Sequence, residues 1–211
     1  MHANITGRGM IWHVWHRMLS RLRRGILMLV LLILGLVLWV NSDTTNAGTL
    51  EPLLRAAGLH TPTKPMPADD FKLPDATGRQ HRLRDQQGNV VFLNFWATWC
   101  PPCLAEMPSM QQLYQTLRQH AFVMWAVNMQ QSSEQVAQYM RAEDLDFSAL
   151  IDTDGKVVSL YKIQGLPTTY LIDCAGNVVG WAVGPREWMD DPTRTLLTAM
   201  LNDAKCDKTP R

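Results

Sequence analysis

The chain has 211 residues, with 20 basic and 19 acidic side chains, a formal net charge of +1 and four cysteines. That length suits one domain of about 140 to 150 residues with an appendage. No phosphate-binding loop, metal cluster or Ser-His-Asp arrangement is evident, and the amino-terminal arginines, which could be mistaken for a nucleic-acid patch, read as an orientation signal beside a membrane span. Residues 1–24 carry five arginines (Arg8, Arg17, Arg21, Arg23, Arg24) and no acid. Residues 25–40 (GILMLVLLILGLVLWV) follow as sixteen residues without a charge. At 1.5 Å per residue this run spans roughly 24 Å, a short membrane helix whose flanking side chains must snorkel. The arginines then act as an orientation signal that leaves 1–24 in the cytoplasm and everything after residue 41 outside. A cleaved signal peptide is the competing reading, but only Thr45-Asn46-Ala47 approaches a cleavage site. Residues 41–68, rich in Thr, Pro, Ala and Gly, read as a tether with room for a short helix at 50–59.

From Asp70 the pattern is strand, turn at 75–78 and strand, followed by the apolar run Val90 to Ala97. A helix is predicted from Pro101 to about His120, a strand over 122–128, and a helix to about Glu143 capped by Ser132 or Ser133. Gly165-Leu166-Pro167 introduces a strand that turns at 174–177 into VVGWAV, and a last helix covers about 192–204. The alternation predicts an α/β fold with a parallel core, ending in an antiparallel hairpin and a helix. A mixed central sheet with helices on both faces results.

The chemistry centres on WCPPC. Cys100 falls at the predicted start of a helix, where unsatisfied N–H groups and the helix dipole favour thiolate over thiol. Cys103 lies one turn later on the same face, close enough to bond and to act as the resolving thiol. A CxxC pair is also half of a zinc site, but Cys174 and Cys206 stand alone and no His completes a cluster. A purely structural disulfide is the other alternative, although so short a loop gains little from cross-linking. No metal and no bound cofactor is required.

These segments resemble the thioredoxin fold and, within it, the membrane-tethered TlpA/ResA/CcmG-like thiol-disulfide oxidoreductases. The likeness is carried by FLNFWATWCPPC, by Glu106-Met107-Pro108, by LIDTDGKVVSLYKIQGLPTTYLID, and by the extra strand pair at 70–83. It covers roughly 68–204, which divides the chain into a cytoplasmic leader (1–24), a membrane anchor (25–40), a tether (41–68), a thioredoxin-like domain (69–206) and a tail (207–211). The resemblance implies that Cys100 and Cys103 form the redox-active disulfide and that Pro167 is a cis proline opposite them. An ordinary turn proline is the alternative. Leu166 would offer its backbone to an extended client. Asn94 stands where cytoplasmic thioredoxins have a buried Asp, so that acid is absent here. Glu106, three residues after the second cysteine, matches a glutamate associated with the active site and would exchange a proton with Cys103, unless it is merely a solvated helix residue. Trp96 reads as packing. Trp99, Pro101 and Leu166 would form an apolar client-docking patch. In this fold the last helix returns toward the turn that holds Cys174, so Cys174 and Cys206 either pair as a structural disulfide or remain two free thiols.

The resulting expectation is a thiol-disulfide oxidoreductase on the outer side of a bacterial cytoplasmic membrane, with its catalytic domain in the periplasm. It would reduce client disulfides, apocytochrome c among them, and draw electrons from a membrane thiol transporter of the DsbD/CcdA type. A disulfide oxidase or isomerase, or a tethered binding module with incidental cysteines, remains the alternative.

Overall fold

The computed structural model describes residues 30–33, 47–203 and 206. The chain divides into two compact units, residues 1–48 and 49–211. Of the first, only a helical stretch at 30–33 and the beginning of helix α1 (Ala47–Ala56) are described. The leader 1–24, most of the apolar run 25–40 and the tail 207–211 lie outside the described residues. Among the described residues no helix is long and apolar enough to cross a membrane.

The second unit is built on a six-stranded mixed sheet in the order β1-β8-β7-β4-β5-β6. Its strands are β1 (Met66–Pro67), β4 (Val90–Trp96), β5 (Phe122–Met129), β6 (Ser148–Asp152), β7 (Thr168–Ile172) and β8 (Asn177–Val183). Strand β4 is central and buried along all seven residues, parallel to β5 and antiparallel to β7. Such a strand needs apolar side chains on both faces, which its unbroken β-branched and aromatic run supplies. Strand β6 and the short helix α4 (Lys156–Leu160) were not separated out by the sequence pattern.

The period of two along β4 sorts two cores. Val90, Phe92 and Trp96 face a layer containing helices α2 (Pro101–Leu117), α3 (Ser133–Ala142) and α5 (Asp191–Leu201), represented by Met107, Val136 and Leu197. Val91, Leu93 and Phe95 face Phe71, Leu73, Val157 and Tyr161. The hairpin β2 (Lys72–Pro74) and β3 (Gln80–Arg82) thus forms a separate two-stranded sheet that covers the second face together with α4. The fold is a thioredoxin-like α/β fold with a mixed sheet.

The segment 50–67, tether-like in composition, is packed rather than extended. Leu54, Ala57 and Leu59 are buried in the first core, His60 bridges Trp181, and Met66–Pro67 adds an edge strand to β8. A few apolar residues spaced for a helix face outweigh a turn-rich average, because burial acts on individual side chains.

Candidate active site

The sheet and α2 meet at the C-terminal end of β4. Chain leaving Trp96 turns through Ala97-Thr98-Trp99 and enters α2 with Cys100 as its N-cap and two prolines in the first turn. Proline is favoured there because its missing N–H would have had no intrahelical partner. The Cys103 N–H is shared between the Cys100 carbonyl at 2.9 Å and the Cys100 sulfur at 3.3 Å, so a first-turn amide lies against the sulfur that would carry the thiolate. Cys100 and Cys103 are disulfide-bonded, with Cα atoms 5.3 Å apart, and Cys103 is fully buried. Gln131 braces the approach, accepting the Thr98 N–H at 2.8 Å and donating to Thr98 Oγ1 at 2.7 Å.

Glu106 follows one turn after Cys103 on the same helix face and is 2 % exposed. Three N–H groups converge on its carboxylate. Asn94 Nδ2 donates to Oε1 at 2.8 Å, while Trp188 Nε1 at 3.0 Å and the Arg186 backbone N–H at 3.2 Å donate to Oε2. Burial nevertheless outweighs these donors and pushes the Glu106 carboxyl up to about 7. The solvated-residue alternative for Glu106 is therefore not what the structure holds. Asn94 itself lies on the helix side of β4 by parity with Phe92 and Trp96, and it also donates to Thr169 Oγ1 at 2.9 Å.

The Leu166–Pro167 peptide is cis. Pairing of Phe95 with Thr168 places Pro167 at the end of the sheet from which the cysteine loop departs. Pro167 is buried and Leu166 half-buried, whereas Trp99 is 60 % exposed beside Cys100 and Pro101 is also exposed. Trp96 is fully buried and donates its indole N–H to Ala126 O. Cys174, in the β7–β8 turn, and Cys206, after α5, are joined at a Cα separation of 5.0 Å.

Sequence reasoning did not find Trp188, Arg186 or Thr169, and it read Asn94 only as a missing acid. The available signal was Asn94 itself, a lone amide inside an apolar strand, which requires a buried polar partner on the face its parity selects.

The site can therefore exchange two electrons as a dithiol–disulfide couple and hold one proton on an adjacent buried acid near neutral pH. Comparison with known proteins points the same way. Residues 65–180 match the AhpC/TSA family. The chain is 38% identical over 157 residues to the thiol-disulfide oxidoreductase ResA of Geobacillus thermodenitrificans, covering 74% of this chain and 83% of that protein. It is 34% identical to ResA of Bacillus subtilis over 147 residues, 70% of this chain and 76% of the relative. Among solved structures, one described as a thiol:disulfide interchange protein DsbE from Chlorobium tepidum superposes with a TM-score of 0.61 at 33% identity, covering 66% of this chain and 98% of the other.

Proposed function

The chain belongs to the AhpC/TSA family and to its ResA-type thiol-disulfide oxidoreductases, and from that premise we propose that it is a membrane-tethered reductase of client disulfides. The observation that carries the dithiol chemistry is the buried Glu106 carboxyl one helical turn after Cys103, able to take up or return a proton near neutral pH. In the reducing direction Cys100 thiolate attacks a client disulfide, forming a Cys100–client bond and releasing one client thiolate. Cys103 must then lose its proton while buried. Glu106 is the group in reach on its own helix face, and a carboxyl near 7 accepts that proton readily at neutral pH. The Cys103 thiolate attacks Cys100, the intramolecular disulfide forms, and the second client sulfur leaves with its electron pair and takes a proton.

Client segments dock on exposed Trp99 and Pro101, with the Leu166 backbone beside them. The anchor rests on the sequence alone, the sixteen-residue charge-free run behind five arginines. It places the domain outside the cytoplasmic membrane, where apocytochrome c is one fitting client and a DsbD/CcdA-type thiol transporter returns the electrons. The test is a Cys103→Ala variant expressed as the full chain. It is expected to accumulate clients covalently bound to Cys100 in the membrane fraction, in amounts that rise when client disulfides accumulate. A measured potential near the strongly oxidising end, about −120 mV, would overturn the reductase assignment.

A further inference from the structure

The carboxylate of Glu106 is tied to a part of the molecule far from the cysteines in sequence. Arg186 gives its backbone N–H to Glu106 Oε2, while its guanidinium reaches in the other direction, donating through Nη1 to Gly58 O at 2.8 Å and through Nη2 to Ala57 O. Those carbonyls follow the C-terminus of α1. The helix ends there because Gly58 adopts φ +64°, with its N–H donating to Arg55 O and that of Leu59 to Leu54 O. A guanidinium suits this end of a helix, whose free carbonyls carry partial negative charge. A β-carbon at Gly58 would stand 3.2 Å from Arg186 Nη2, so glycine serves both the turn and the close approach. The guanidinium carbon also lies 5.5 Å from the centroid of the Trp188 ring, whose indole N–H donates to the same Glu106 oxygen. From the Arg186 guanidinium at the end of α1, two routes therefore reach one carboxylate, through the arginine's own backbone N–H and through the Trp188 indole.

We propose that Arg186 is a positioning residue through which docking of α1 governs the protonation of Glu106. The functional consequence rests on the reading of Glu106 as the proton acceptor for Cys103. With α1 seated through Leu54 and Ala57, the guanidinium is fixed against Trp188, and its charge favours the carboxylate. When α1 lifts, the guanidinium is free to move into water, and the carboxylate loses that support and holds its proton to higher pH. The groups that bond the carboxyl are uncharged Asn94 from β4 and Trp188 with the charged Arg186 from the loop before α5, while Cys103 stands one turn earlier on its own helix. Arg186 is thus the charge available for such control. Docked α1 corresponds to the state competent to accept the Cys103 proton.

The test is carbon-detected NMR titration of the Glu106 side-chain carboxyl in full-length wild type, Arg186→Ala, Arg186→Lys and Gly180→Ala. Gly180 lies on β8, and a β-carbon there would meet Leu54 Cδ2 at 2.9 Å and the backbone His60 O at 3.2 Å. That substitution crowds the Leu54 side chain that seats α1 and the backbone just after the helix, without altering Arg186. Arg186→Ala is expected to move the titration upward by roughly half a pH unit or more, with Arg186→Lys in between and Gly180→Ala following Arg186→Ala. A wild-type titration in Arg186→Ala overturns the coupling, and a wild-type titration in Gly180→Ala removes α1 from it. Should Arg186→Ala fail to fold, the lysine variant and Gly180→Ala decide. The redox reading is judged separately by Glu106→Gln: wild-type Cys103 reactivity there defeats that reading while leaving the titration shifts intact.

Discussion

Cys100–Cys103 closes a loop of sequence separation three at the amino end of α2, whereas Cys174–Cys206 spans 32 residues and ties the β7–β8 turn to the chain after α5. All four cysteines are buried to a similar degree. What separates the pairs is their surroundings. The first pair has a helix amide aimed at Cys100, a buried acid one turn beyond Cys103 and an exposed Trp99 beside it. At the second, Cys206 sits against the Met200 carbonyl, an acceptor that gives a thiolate no support. The surroundings of the first pair suit exchange chemistry and those of the second do not, and the difference comes from neighbours rather than from the bond.

The sharpest way to break this comparison is to delete each pair. Cys100→Ser is expected to abolish disulfide reduction in an insulin turbidity assay, whereas Cys174→Ser with Cys206→Ser retains it. In chemical denaturation the order reverses. Loss of the long loop costs roughly 3 to 4 kcal/mol and loss of the short one about 2 kcal/mol in the chain-entropy description, whose mechanism is disputed. Equal activity loss in Cys100→Ser and in the Cys174→Ser, Cys206→Ser double variant would erase the distinction.

The next effect is in pH dependence. Glu106 binds its proton more tightly folded, near 7, than its ordinary value of 4.5. Between those two values the native state holds more protons than the unfolded chain, so the contribution of Glu106 to stability, full below about 4.5, falls as pH rises through this window and is gone above about 7, the rest of the fold's stability being untouched. Burying the charge accounts for roughly 3 kcal/mol between about pH 4.5 and pH 8. Glu106→Gln is expected to flatten this slope in urea unfolding carried out at several pH values, and an unchanged slope would remove Glu106 as its source. The smallest effect is at the surface. Trp99→Ala is expected to raise KM for a protein client about five- to tenfold, of order 1 kcal/mol, with little change toward a small-molecule disulfide.

Much of this was legible in the chain. The strand-to-helix junction at WCPPC, the order of most elements and the position of Glu106 one turn after Cys103 follow from residue type and spacing, which are local. The partners of Glu106 are not local. Arg186 and Trp188 lie 80 and 82 residues away in a loop with no periodic pattern. Residues 50–67 show the same limit from the other side, because composition describes an average while three apolar side chains decide that the segment docks.

By itself the sequence determined a helix-capping cysteine pair, a buried central strand and a carboxyl on the cysteines' helix face, since these depend on backbone periodicity and on side-chain chemistry at short range. Only the tertiary structure decided that this carboxyl is enclosed, that three N–H groups from distant segments converge on it, and that α1 reaches it through Arg186. Desolvation is a property of everything packed around a group, so the proton affinity of Glu106 came into being only when β4, α2 and the loop before α5 closed over it.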